Sequence, residues 1–321
     1  MSLISRKGFG TYTIIGVSAV FAAILIFDFC RFTITSIKCW SSEYGPLYSL
    51  VWCSIPNFGG VYEADAIYHG LESSEAIRNA QVIFTGTSKL QQAFSTKATA
   101  AYFAKQNIRF YVLGFTTRNL GIILPTFTNR ASPSLLIINA DPFYIAQVRS
   151  DLLGGLKTYW KFARMVGLQR LQRAICPSFP SFCSPPIRTM YRSANTGQLK
   201  WQGSYYPEQS IAFNELLQHE LSDNEFEAIV DIDERFLREI NISRGCVVFT
   251  GIPNNDQDAP AIASRLAQRL GTHLILPKVE PLSLLDDYHL NFDSAERWSA
   301  AFLSELTPVL QRCLSKRDDR D

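Results

Sequence analysis

Two short runs, some two hundred residues apart, hold side chains of the types that transfer acyl groups. In the first, Gly86-Thr87-Ser88 closes an apolar run and leads into the helix-prone Lys89-Leu90-Gln91-Gln92-Ala93. A serine at such a turn presents its hydroxyl at the carboxyl edge of a sheet. Its own N–H then lies at a helix N-terminus, where developing negative charge is favoured, and Gly86 would allow a tight turn. The plainer reading of a serine in that position is a helix N-cap. The second run is Leu285-Asp286-Asp287-Tyr288-His289-Leu290. A carboxylate three residues before a histidine can accept from the imidazole Nδ1–H and leave Nε2 free to take a proton from a serine. Asp286 has that spacing, Asp287 reads as solvated, and a surface histidine is the plainer reading of His289. The two runs together are far more specific than either alone.

The elements around them follow from hydrophobic patterning. Short, near-continuous apolar runs at Gln81 to Thr85, Arg109 to Phe115, Ser134 to Asn139, Cys246 to Thr250 and His273 to Leu276 read as parallel strands covered on both faces. Helices are expected over Lys89 to Gln106, Ser210 to Leu221, Asp223 to Glu239, Pro260 to Leu270 and Ser294 to Leu314, the last kinked or shortened at Pro308. Ser222 with Glu225 and Asp293 with Glu296 have capping-box spacing. The alternation predicts an α/β fold, a doubly wound, flavodoxin-like parallel sheet of about five strands. A span of about 142–240 is too long for a loop and reads as an insertion shaping a substrate cleft. Ser88 then follows the first strand, and Asp286 and His289 follow the last.

In this order and placement the chain resembles the SGNH, or GDSL-like, hydrolase family, from about Val82 to Leu314. The first block is G-T-S in place of G-D-S, similar to the G-[ST]-S form of membrane-anchored envelope members. The last block is D-x-x-H, continued by Ser294-Ala295-Glu296-Arg297-Trp298. The resemblance implies Ser88 as nucleophile, His289 as general base and acid, and Asp286 as its orienting carboxylate. It also implies an oxyanion hole built from the Ser88 N–H, Gly114 and a third-block residue. The family's G-x-N-D is absent, and the strand ends Ile138-Asn139-Ala140-Asp141-Pro142. Either Asn139 supplies the second oxyanion donor, or Asn139 and Asp141 cap the turn.

The expected activity is that of a serine esterase or O-acyltransferase, without cofactor or metal. The resemblance implies a cell-envelope polysaccharide or other glycan as substrate and a membrane-bound O-acyltransferase as partner. A non-catalytic, glycan-binding assembly protein on the same scaffold is the rival, favoured by the missing G-x-N-D. Arg118, Arg192 and Tyr205-Tyr206 are weaker candidates for lining a glycan cleft, since such residues more often serve packing or solvated surface.

Of 321 residues, 47% are hydrophobic and 19% charged, with net charge +2. This is a chain with a core, and its near-neutral balance argues against a nucleic-acid partner. Residues 8–27 form twenty uncharged positions, enough to span a bilayer as a helix. Arg6 and Lys7 precede them, which predicts a cytoplasmic tip and an extracytoplasmic body. An uncleaved anchor is favoured over a signal peptide because the run is long and no A-x-A-like site follows; Phe29 before Cys30 argues against lipidation. The predicted organisation is a tip and transmembrane anchor over 1–31, a connecting segment over 32–80 and a catalytic domain over 81–321. Among seven cysteines, local bridges Cys39 to Cys53 and Cys176 to Cys183 suit an oxidising compartment. Cys246 and Cys313 read as small core residues. The four histidines lack zinc-site spacing.

Overall fold

The computed structural model describes residues 47–53, 73–115, 133–140, 189–202, 222–255 and 258–318, with single positions or short runs between them. Five parallel strands form the main sheet: β2 (Val82–Thr87), β3 (Phe110–Phe115), β4 (Leu135–Asn139), β7 (Val247–Thr250) and β8 (His273–Leu274), in the order β3-β2-β4-β7-β8. Counting only these five, the order is second, first, third, fourth, fifth, so the winding reverses beside β2. Doubly wound sheets bind ligands at that crevice, outside the carboxyl ends of the strands.

Alternation along each strand fills two cores. Ile83, Tyr111, Leu113, Leu136, Ile138, Val247 and Phe249 point to one face. There α1 (Ser74–Asn79), α4 (Asp223–Glu239) and α5 (Asp258–Leu270) cover them through Ile77, Phe226, Ile229, Ile262 and Leu266. Val82, Phe84, Phe110, Val112, Leu135, Ile137 and Val248 point to the other face, under α2 (Ser88–Phe94), α3 (Lys97–Lys105) and α6 (Phe292–Asp318). Burial on both faces explains why β2, β3 and β4 carry almost no polar alternation.

Several boundaries differ from expectation. The predicted helix Lys89 to Gln106 is two helices, because Thr96 accepts from Thr99 N–H and starts α3 afresh. Ser222 and Glu225 do form the capping box of α4. Asp293 is not the cap of α6: the Asn291 side chain accepts from Ser294 N–H at 2.9 Å. Glu296 instead accepts from Lys97 N–H at 2.7 Å and Ala98 N–H at 2.8 Å, capping α3 from another element. Helix α6 runs through Pro308 to Asp318 rather than ending there.

A second, antiparallel sheet was not legible. It joins β1 (Tyr48–Cys53), from the segment read as a connector, to β5 (Thr189–Ser193) and β6 (Leu199–Gln202) of the insertion. The connector also contributes Ile67 and Ile77 to the main core. At the other end of the assigned insertion, α4 covers the main sheet. Predicted helix Ser210 to Leu221 lies almost entirely outside the described residues; Ile211 makes an isolated bridge with Leu284.

Cys246 and Cys313 are buried as expected, but they are bonded to each other, with Cα atoms 5.7 Å apart. Cys39, Cys176 and Cys183 lie outside the described residues, and of Cys53 only the backbone is described. So do residues 8–27; among the described residues no helix is long and apolar enough to cross a membrane.

Candidate active site

Strand β2 passes into α2 without an intervening loop. Thr87 is the N-cap, its Oγ1 accepting from Lys89 N–H at 3.3 Å, so Ser88 is the first helical residue and its hydroxyl is not spent on capping. Gly86 has no positive φ. What it supplies is space: a Cβ there would lie 2.9 Å from Asn139 Cβ and 3.0 Å from Leu90 Cβ. Strand β4 and helix α2 can therefore close on the residue two before the serine.

The Asp286 to His289 run sits at the tip of a pinched loop. Leu284 bridges to Leu290, Leu285 N–H donates to His289 C=O at 2.7 Å, and Leu284, Leu285 and Leu290 are buried. Asp286 Oδ1 accepts from the N–H groups of Tyr288 and His289, each at 2.8 Å. The imidazole Nδ1 lies 2.8 Å from Oδ2 and 2.9 Å from Oδ1. Because the carboxylate only accepts, Nδ1 carries the hydrogen and Nε2 is left as the acceptor. Ser88 Oγ is 2.8 Å from Nε2, across 201 residues of chain. Partial burial pushes the Asp286 pKa up, but the hydrogen bond and charge of His289 and the two loop N–H groups outweigh it, and the net shift is downward.

Packing between α2 and α6 fixes this geometry. Phe94 makes edge contacts with Trp298 and Phe302, with centroids 5.6 and 5.0 Å apart. Thr96 Oγ1 meets Ser299 Oγ at 2.9 Å. The serine thus begins one helix and the histidine closely precedes another, and the two helices are clamped together. Contacts of this kind are worth about 0.5–1.5 kcal/mol per aromatic pair.

Of the three expected oxyanion residues, the structure separates Gly114 from the others. Its N–H donates to Gln91 Oε1 at 3.0 Å, and a Cβ there would fall 2.5 Å from Gln91 Cβ and 2.7 Å from Thr87 C=O. Gly114 is a close-packing residue whose N–H is already spent. Asn139 ends β4, completely buried. Its Oδ1 accepts from Ile252 N–H at 3.0 Å, which answers neither expectation for it directly, while its buried Nδ2 donates to no acceptor among the described residues. Asp141 lies outside the described residues.

Two neighbours escaped the sequence reading. Lys89, next to the serine, is buried; its Nζ donates to Asn254 Oδ1 at 3.3 Å and lies 5.6 Å from the centre of the Tyr288 ring. Asn255 donates its N–H to Asp287 C=O at 3.3 Å, so the exposed Asp287 is held at its backbone. The polar Asn254-Asn255 pair closely follows β7 and was findable from its place beyond a strand's carboxyl end. Arg192, a weaker candidate for a cleft wall, serves packing, the reading favoured for it: it is buried under β3. It donates to Gln91 Oε1 at 2.7 Å, Val112 C=O and Gly114 C=O at 2.8 Å, and Gly197 C=O at 3.0 Å. Burial pulls its pKa down to about 9, still above neutrality. Arg118, Tyr205 and Tyr206 lie outside the described residues. Among the described residues no three His, Cys, Asp or Glu side chains converge as metal ligands.

Comparison with known proteins returns no family model, no curated protein and no solved structure that matches the chain.

Proposed function

We propose that the chain is a serine esterase or O-acyltransferase of the SGNH-like kind, with a flavodoxin-like catalytic body held outside the cytoplasm by its N-terminal anchor. The observation that carries this reading is the unbroken path from Ser88 Oγ through His289 to Asp286, each contact 2.8 Å long. A glycan-binding scaffold has no need of that alignment.

In the proposed reaction Ser88 Oγ attacks the ester carbonyl as its proton passes to His289 Nε2. Asp286 holds the ring in the required tautomer and stabilises the imidazolium. The Ser88 N–H, at the start of α2, and the orphan Nδ2 of Asn139 are the donors for the oxyanion. Collapse of the tetrahedral adduct expels the alcohol, which takes the proton from Nε2 and leaves an acyl-serine. Water or a sugar hydroxyl, deprotonated by the same Nε2, then releases the acyl group. A cell-envelope glycan is the proposed substrate and a membrane-bound O-acyltransferase the proposed partner. The Cys246–Cys313 bridge fits an oxidising compartment.

The test is kinetic. With an aryl acetate, Ser88→Ala and His289→Ala should each lower kcat by about 10⁶, the double variant no further, and Asp286→Ala by about 10⁴. Wild-type turnover in Ser88→Ala, or fluorophosphonate labelling of another residue, would overturn the assignment.

A further inference from the structure

The side chains of helix α2 part in different directions. Leu90, Ala93 and Phe94 enter the core, Lys89 turns to Asn254, and Gln91 turns to Gly114, Gly197 and Arg192. Gln92 remains. With about 100° of turn per residue it lies about 40° around the axis from Ser88, on the side of the helix away from that core. Helical side chains lean toward the N-terminus, so the patch that Gln92 covers lies over the turn that begins with the serine. Gln92 is only 4% exposed, and its Nε2 is closed to solvent and meets no acceptor. Among the described residues one other carboxamide shares that condition, Asn139 at Nδ2. Asn139 packs beside Gly86, two residues before the serine, and Gln92 follows the serine by four. The two orphan donors thus bracket Ser88. Buried amide donors are nearly always paired, and an unpaired one weakens a fold, so two of them at one serine point to a ligand that pairs them.

We propose that Gln92 is a specificity-determining residue: its Nε2 donates to an oxygen on the alcohol side of the ester, which commits the site to esters of sugars and other polyols over those of apolar alcohols. The inference rests on the acyl-transfer reading of Ser88 and gives its substrate a class. A carbonyl oxygen has two lone pairs, and the Ser88 N–H and Asn139 Nδ2 are the donors proposed for them. Gln92 therefore meets a second oxygen. A simple acyl chain offers none beyond its carbonyl, whereas a sugar carries hydroxyl and ring oxygens within a few bonds of every ester it bears. The carboxamide is uncharged, so it suits such neutral oxygens and does not call for a carboxylate or phosphate. A site whose buried donor is paired only by the right substrate rejects the analogue that lacks the oxygen, because that analogue leaves the donor unpaired.

The probes are methyl 6-O-acetyl-glucopyranoside and cyclohexylmethyl acetate, which share an acetylated methylene on a six-membered ring and differ in the oxygens around it. The full chain should favour the sugar ester by about tenfold or more in kcat/KM, the scale set by one buried donor left unpaired. Gln92→Met keeps the length of the side chain and removes the donor. It should abolish that preference and raise the urea midpoint, because no unpaired amide is then buried. A merely structural Gln92 gives the opposite pair of results, with both esters slowed alike and a lower midpoint, and that outcome overturns the proposal. So does a preference that survives in Gln92→Met. Should the variant not fold, the wild-type ratio decides: equal kcat/KM for the two acetates, with Ser88 still labelled by a fluorophosphonate, overturns the role of Gln92 and leaves the acyl-transfer reading intact. No turnover of either ester, with Ser88 unlabelled, removes both together.

Discussion

Gln91 Oε1 accepts the N–H of Gly114 at 3.0 Å, and the same oxygen accepts from Arg192 Nη1 at 2.7 Å. One side chain, three residues into the helix that begins with Ser88, thereby joins the main sheet to the antiparallel sheet. Its Nε2 also donates to Gly197 C=O at 2.8 Å. The helix that begins with Ser88 is fixed from below by β3 and from the side by β5.

Replacing Gln91 with Leu should therefore destabilise the fold more than its loss of polarity suggests. The variant strands a buried N–H and removes one acceptor from a buried cation, at a cost of about 1–3 kcal/mol. Urea unfolding should show a lower midpoint with unchanged slope. A midpoint equal to wild type would mean that the network contributes nothing to stability.

The bridge between Cys246 and Cys313 closes a loop of 67 residues and ties the start of β7 to the last third of α6. Loop-closure entropy puts its contribution at about 4 kcal/mol. Cys246→Ala/Cys313→Ala should lose about that much, and the native protein should resist alkylation at both positions until it is reduced and unfolded. Peptide mapping that finds either thiol free in protein purified without reductant would contradict the pairing.

The main sheet was legible because its strands announce themselves: VIFT, YVL, LLII and VVF are buried on both faces and need no polar alternation. Ser88, Asp286 and His289 were legible because each lies just past the carboxyl end of a strand or shortly before the last helix. The antiparallel sheet was not, since β1 pairs with β5 across well over a hundred residues and its strands mix Arg, Lys, Ser and Thr with aromatics. Cysteine spacing could not reveal a bridge between two apolar stretches, each of which reads as ordinary core. Asn291 and Glu296 were missed for a related reason: Asp293 matched a local capping pattern, but Glu296 is taken by another helix.

Acid should expose the Asp286 interaction. Its folded pKa is lowered, so the stability it adds is present above the unfolded value of about 3.9 and is lost as pH falls through the folded value. In Asp286→Asn that share is already absent. The stability gap between wild type and variant, followed by thermal melts from pH 6 downward, should stay constant to about pH 4 and narrow below it. A gap that widens on acidification would reverse the sign and mean that the carboxyl is held protonated.

Gly114 and Asn139 should fail in opposite ways. A Cβ at position 114 would meet Gln91 and the Thr87 carbonyl, so Gly114→Ala must push α2 off β3, at about 1–3 kcal/mol for overpacking. Its N–H was never available to substrate, and molecules that remain folded should keep kcat within a few-fold of wild type. Asn139 has the reverse profile. Asn139→Ala removes the buried, unused Nδ2 donor beside Gly86 as well as the Oδ1 contact to Ile252. Loss of an oxyanion donor costs about 10²–10³ in kcat with little change in KM, because the bond forms fully only as charge develops on the carbonyl oxygen. Measuring kcat, KM and urea midpoint for both variants separates the roles. A folded Asn139→Ala variant with wild-type kcat would remove Asn139 from the proposed oxyanion hole, and a stable Gly114→Ala variant with kcat down a hundredfold would restore Gly114 to it.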